Sequence, residues 1–243
     1  MKKPSLKIKI LTLFPEIFPG PLGCSLVGSG LKNNIWSLEI INIKDFGLTK
    51  HKTVDDKPFG GGNGMVMRPD ILGEAIESAK LDMISPIIFY TSPKGEKFSQ
   101  DHAREFSNFS EIIIICGRFE GIDERIIEEY NAREISLGDF VLSGGEIAAL
   151  AILDSTIRLI PGILANQDTL IEESFNNFGN IGTLLEYPQY TRPETWRDRT
   201  VPKVLLCGNH KQIKDWRFEK AKEITIKKRP DLFVKNKNLS STQ

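Results

Sequence analysis

The chain has little of what a secreted or metal-stapled protein needs. Its three cysteines, Cys24, Cys116 and Cys207, lie far apart and are odd in number, which excludes a disulfide framework and fits a reducing compartment. The three histidines, His51, His102 and His210, are equally scattered, so no Cys/His set has zinc spacing and no metal ligands are assigned. Long apolar runs are missing too. The longest uncharged apolar stretch, Ile147 to Leu153, is far too short to span a bilayer. Lys7 and Lys9 interrupt any export-signal core behind Lys2 and Lys3, so the expectation is a soluble cytoplasmic protein with no membrane partner. Neither internal repeats nor low-complexity segments occur, which removes solenoids and disordered arrays.

What is present is ordinary for a globular chain. It has 243 residues, of which 40% are hydrophobic and 26% charged. That suits one or two domains with a core large enough to need no staples. The charges balance, 32 Lys+Arg against 32 Asp+Glu, but unevenly along the chain. From Arg192 to Gln243 there are 14 Lys+Arg and 6 Asp+Glu, a surplus of +8, which leaves 18 and 26, or −8, before it. An acidic body with a basic tail favours a polyanionic partner such as nucleic acid.

Short apolar runs alternate with helical patterns, which predicts an α/β fold with a mostly parallel sheet and helices on both faces. Strands are expected at Ile8–Phe14, Trp36–Ile43, Pro86–Tyr90 and Ile112–Cys116. The last two are continuous apolar runs, as in strands buried on both faces. Helices are expected at Pro69–Leu81, with Asp70 able to cap it, at Ser99–Phe106 and at Glu146–Ile160. Pro161-Gly162 then stops the chain. The first domain is placed at residues 1–165, a polar linker at 166–182, and a small, basic, mainly α-helical domain at 183–243, its helix running from Asn209 to Lys228.

Three Gly- or Pro-bearing turns carry the chemistry: Ser92-Pro93-Lys94-Gly95, Gly117-Arg118-Phe119-Glu120-Gly121 and Leu142-Ser143-Gly144-Gly145. In open α/β sheets, ligands sit at the carboxyl ends of strands, so these turns make a natural cleft. Phe59 to Met65 is glycine-rich but lacks the Lys-Ser/Thr ending of a P-loop, and Gly28-Ser29-Gly30 lacks the third glycine of a dinucleotide fingerprint. Glu120, Asp123 and Glu124 at the opening of the next helix would repel a phosphate and suit a cationic or hydroxylated ligand. Cys116 reads as a core residue rather than a nucleophile. The helix from Glu146 is apolar nearly all round, so it is buried against the sheet or a partner subunit. Arg158 within it either pairs with Asp154 one turn earlier or faces an anionic or carbonyl-bearing substrate.

These motifs resemble one family. Tyr90-Thr91-Ser92-Pro93, Cys116 to Asp123, Ser136 to Glu146 and Arg158-Leu159-Ile160-Pro161-Gly162 are similar to the bacterial tRNA (guanine-N1)-methyltransferases. So are His51 to Gly62, Tyr190-Thr191-Arg192-Pro193-Glu194 and Gly208-Asn209-His210. The likeness runs in order along nearly the whole chain. It implies methyl transfer from S-adenosylmethionine to N1 of the guanosine immediately 3′ of the tRNA anticodon, position 37. It also implies a homodimer with active sites at the subunit interface, and a trefoil-knotted α/β domain of the SPOUT class. Magnesium is suggested as well, with no ligand cluster legible in the sequence.

Carried over by position, the donor site would comprise Tyr90, Ser92, Pro93, Gly117, Phe119, Glu120, Leu137, Gly138, Phe140, Leu142, Gly144 and Gly145. Phe119 and Phe140 stand where the family more often has tyrosine. Guanine N1 must lose a proton as it is methylated, and charge then grows on O6. The resemblance places Arg158 at O6 and the general base at Glu173, where relatives usually carry aspartate, with Glu172 as an adjacent rival. Arg192, Arg197, Arg199, Lys203, Lys211, Lys214, Arg217 and Lys220 are candidate phosphate contacts. Two other classes remain open: a non-catalytic RNA-binding protein, and a knotted methyltransferase acting on another RNA.

Overall fold

A computed structural model of the chain describes residues 4–48, 50–166, 170, 172–178 and 182–234. The chain divides into two compact units, Met1–Ala165 and Asn166–Gln243. In the first, the strands are β1 (Leu6–Thr12), β2 (Trp36–Asn42), β3 (Asp55–Asp56), β4 (Val66–Met67), β5 (Ile87–Lys97), β6 (Glu111–Cys116) and β7 (Arg133–Ser136). The helices are α1 (Ser25–Lys32), α2 (Pro69–Lys80), α3 (Gln100–Phe106), α4 (Glu124–Tyr130) and α5 (Glu146–Ile157). Five strands form one parallel sheet in the order β2-β1-β6-β5-β7, and β3 and β4 make a small antiparallel pair.

Every residue of the central strand β6 is buried. Strand side chains alternate between faces. Ile112, Ile114 and Cys116 therefore pack on one side with Val27 of α1, Phe106 of α3 and Leu153 of α5. Ile113 and Ile115 pack on the other with Leu72 and Ile76 of α2 and Ile126 of α4. Helices thus cover both faces, as the continuous apolar runs require.

The expected strands fall within two residues of the observed ones, except that β5 does not end at Tyr90. It runs on to Lys97, pairing with β7 through Phe89–Thr91 and again through Glu96 and Lys97. Ser92 to Gly95 is therefore a bulge inside a continuing strand, not a closing turn. Pro93 is tolerated there because the bulge asks no ladder hydrogen bond of it. At Gly95 a Cβ would run into the Glu134–Ile135 backbone of β7. β7 itself has too few apolar residues to stand out in the sequence.

Other corrections are local. Asp70 does not cap α2: Pro69 takes the first helical position, Arg68 precedes it, and Asp70 pairs with Arg68 at 2.7 Å. Of the three acids expected at the opening of α4, Asp123 is its N-cap, accepting from the Arg125 backbone at 3.0 Å, Glu124 is its first residue and Glu120 precedes it. α5 ends at Ile157, with Arg158 as its half-buried C-cap rather than an interior residue. Gly28 and Gly30 lie in α1, a helix the sequence did not reveal. Their missing side chains serve packing, because a Cβ at Gly28 would fall on the Gly23 carbonyl and one at Gly30 on Ile163.

The second unit holds two short antiparallel pairs, β8 (Asn176–Asn177) with β9 (Thr183–Leu184) and β10 (Thr195–Trp196) with β11 (Arg199–Thr200). Two helices follow, α6 (His210–Lys228) and α7 (Pro230–Val234). Asn209 caps α6, accepting from the Gln212 backbone at 3.2 Å. The polar stretch expected as linker thus contains β8, while its residues 167–169, 171 and 179–181 lie outside the described residues. Among the described residues no helix is long and apolar enough to cross a membrane.

Gly28→Ala should force the start of α1 off the preceding turn. We expect a loss of roughly 1–3 kcal/mol, read as a melting temperature lower by about 2–4 °C per kcal/mol. An unchanged melting temperature would show that the turn yields without strain.

Candidate functional site

The bulge of β5 and the carboxyl ends of β6 and β7 open into a cavity of about 230 Å³. Its walls are the bulge of β5, the turn after β6 and the segment between β7 and α5. Tyr90, Ser92, Pro93, Gly117, Phe119, Glu120, Leu137, Gly138, Phe140, Leu142, Gly144 and Gly145 all line it, so the structure brings together the twelve positions picked out for a donor.

Close backbone approach builds the floor. Gly145 donates its N–H to the Gly117 carbonyl at 3.0 Å, joining the second turn to the third. A Cβ at Gly145 would collide with Thr91 Oγ1 and reach the Cys116–Gly117 backbone, and one at Gly117 would press on the Tyr90 ring. Glycine is the residue that permits this approach. Tyr90 is buried, and that burial pushes its hydroxyl pKa up. Burial also holds the Cys116 thiol well above its ordinary range, which keeps it an inert core group.

Beneath the floor lies a charge network not legible in the sequence. Glu146, the first residue of α5, is 1% exposed and accepts from Thr12 Oγ1 at 2.8 Å and from Arg118 Nε at 3.2 Å. Its second oxygen lies 2.8 Å from Arg118 Nη2. Arg118 also donates to the Ser143 carbonyl at 3.1 Å and stacks over the Phe14 ring at 4.3 Å. Gly144 leaves the space that the guanidinium fills. One arginine thus ties the turn after β6 to the entry of α5, and one glutamate ties both to β1. An acid heading an apolar helix reads in sequence as dipole compensation. Nothing local announces its burial.

The rim is exposed and chemically mixed. Phe119 and Phe140 are 54% and 55% exposed, and Phe119 holds a left-handed φ of 57°, a strained conformation for an aromatic residue. Glu120 points from the same turn, its backbone N–H bonded to the Met65 carbonyl at 3.0 Å. This fastens the glycine-rich loop, with Phe59 97% exposed, beside the pocket. A Cβ at Gly64 would strike the Glu120 side chain.

Glu173, the expected base, is half-buried in the second unit. Its rival Glu172 is engaged: Tyr187 donates to it at 2.5 Å and Arg217 pairs with it at 3.0 Å. The Arg217 guanidinium lies 4.7 Å over the Tyr187 ring. Burial, then the Glu172 hydrogen bond, pushes the Tyr187 hydroxyl pKa up. Arg217, one of the expected phosphate contacts, is half-buried as this partner, and Lys220, another, pairs with Glu223 at 2.5 Å. Arg192, Arg197, Arg199, Lys203, Lys211 and Lys214 are exposed. Among the described residues, no group of three or more His, Cys, Asp or Glu stands close enough to hold a metal ion.

Breaking the buried pair isolates a charge. Arg118→Met should cost about 3–5 kcal/mol, whereas Arg118→Met with Glu146→Gln should lose clearly less than the sum of the single losses. Denaturant unfolding of the four proteins measures this. Additive losses would mean that the two side chains act independently.

Comparison with known proteins adds the family. A family model described as tRNA (Guanine-1)-methyltransferase TrmD matches residues 6–235. A tRNA (guanine-N(1)-)-methyltransferase of Rickettsia akari (strain Hartford) is 56% identical over 227 residues, covering 93% of this chain and 97% of that protein. The protein of the same name from Rickettsia prowazekii (strain Madrid E) is also 56% identical over 227 residues, with the same coverage. The one from Wolbachia pipientis wMel is 53% identical over 228 residues, covering 94% and 95%. Family match and coverage extend across both units, and the chain belongs to the tRNA (Guanine-1)-methyltransferase TrmD family.

Proposed function

We propose that this chain transfers a methyl group from S-adenosylmethionine to N1 of the guanosine immediately 3′ of the tRNA anticodon. The observation that carries this reading is the fastened pocket of strand-end turns, glycine-floored and rimmed by Glu120, Phe119 and Phe140, in a chain of this family. Its residues fit the donor. Close backbone leaves main-chain groups to read an adenine edge, aromatic rings offer flat surface, and Glu120 supplies negative potential for a cation. When bound, the donor supplies an electrophilic methyl on a sulfonium.

Guanine N1 carries a proton and is a weak nucleophile. Glu173 takes that proton as the N1 lone pair forms the new bond to carbon and the carbon–sulfur bond breaks. Glu172 is the adjacent rival, its carboxylate held by Arg217 and Tyr187. Arg158 meets the negative charge that grows on O6.

The chain works as a homodimer of the knotted SPOUT class, in the cytoplasm, the donor pocket of one subunit meeting Arg158 and Glu173 of the other. Supporting this, Val141 and Ile147 beside the pocket are 86% and 56% exposed, apolar surface suited to a partner. The basic second unit holds tRNA phosphates through Arg192, Arg197, Arg199, Lys203, Lys211 and Lys214.

A transcript with guanosine 3′ of the anticodon should gain one methyl at N1, and a transcript with adenosine there none. Glu173→Gln should keep donor binding and lose at least about a hundredfold in turnover, the scale of a general base. Arg158→Ala should slow transfer more than it weakens the donor. Near wild-type turnover by Glu173→Gln would remove it as the base, and methylation elsewhere on the RNA would redirect the substrate.

A further inference from the structure

The β10–β11 hairpin of the second unit displays a tryptophan that no core of that unit claims. Trp196 is 58% exposed, and every residue from Thr191 to Thr200 is exposed. Tryptophan is highly buried on average, so an exposed indole on a hairpin is a surface on which a flat ligand can pack. The hairpin is nevertheless ordered. Trp196 pairs with Arg199 across the strands, and Val201 donates to the Glu194 carbonyl at 3.0 Å below them.

Arg197 closes the turn at a left-handed φ of 55°. A non-glycine residue there costs about 1 kcal/mol or more. In that conformation its guanidinium lies over the indole, 4.6 Å from the ring centroid. The result is a flat π surface backed by one cation, with a second cation, Arg199, opposite on the neighbouring strand. Stacking surface beside phosphate-seeking charge is the combination that captures unpaired bases of single-stranded RNA. The surplus of 14 basic over 6 acidic residues from Arg192 onward favours that partner over an acidic or neutral protein surface.

We propose that Trp196 is a stacking platform for an unpaired nucleobase of the tRNA, with Arg197 and Arg199 flanking it at the phosphates. This rests on the reading of tRNA as substrate and adds a base contact to a surface otherwise made of phosphate contacts. Base stacking is independent of which base is stacked. Trp196 therefore contributes affinity for an unpaired, accessible strand rather than choice of sequence.

The test is equilibrium binding of a tRNA transcript to the full chain across a range of salt. Trp196→Ala should weaken binding roughly tenfold, the loss of one stacked base. Trp196→Phe, which keeps a ring, should stay within about threefold of wild type. The salt slope should not change in either variant, because no phosphate contact is removed. Heparin, a polyanion without bases, should bind Trp196→Ala as it binds wild type. In a Trp216→Phe background, where Trp36 is fully buried, tRNA should quench the Trp196 emission. Wild-type affinity of Trp196→Ala for tRNA, or an equal loss of heparin, would overturn the platform while leaving the tRNA reading intact. A wild-type chain that does not bind tRNA would overturn both.

Discussion

A buried carboxylate fixed by one arginine holds the pocket together. Glu146 sits at the start of α5, where the helix dipole favours an anion, yet it is 1% exposed and would be costly to bury alone. Arg118 and Thr12 make the burial possible, and in doing so they join three places far apart in sequence: the end of β1, the turn after β6 and the entry of α5. The glycines follow from this pair. Gly144 makes room for the guanidinium, and Gly145 lets α5 start against the Gly117 carbonyl. The cleft is therefore shaped before any ligand arrives.

Such a cleft suits a reaction in which the enzyme mainly positions. A methyl group passing between two bound molecules needs a donor held in one orientation and an acceptor whose proton can leave. The glycine floor and aromatic rim are what we propose for the first need. The second is the role we propose for Glu173 and Arg158. Tyr187, Glu172 and Arg217 form a side-chain cluster next to Glu173. That cluster gives Glu172 a structural task.

Much of the fold was legible because buried parallel strands write themselves as unbroken apolar runs. β6 and the first half of β5 follow that rule, and α2 and α6 show their ends through Pro69 and Asn209. The rest was hidden for physical reasons. β7 is short and half charged, the continuation of β5 is concealed by a bulge containing Pro93, and α1 carries two glycines that weaken any helical signal. At the site, the turns were found because Gly and Pro punctuate them. The roles of Arg118 and Glu146 were not, since each becomes meaningful only when residues 28 positions apart meet. The pairing of Arg217 with Glu172 was hidden for the same reason, since 45 residues separate the two.

The account stands or falls on whether the strand-end turns hold the donor. Isothermal titration of S-adenosylmethionine into the wild-type chain and into Gly145→Ala, with folding checked by circular dichroism, asks this directly. Saturable heat in the wild type and its loss in a folded Gly145→Ala is the predicted result. Equal heat in both proteins would put the donor elsewhere, and no heat in the wild type would contradict the account outright.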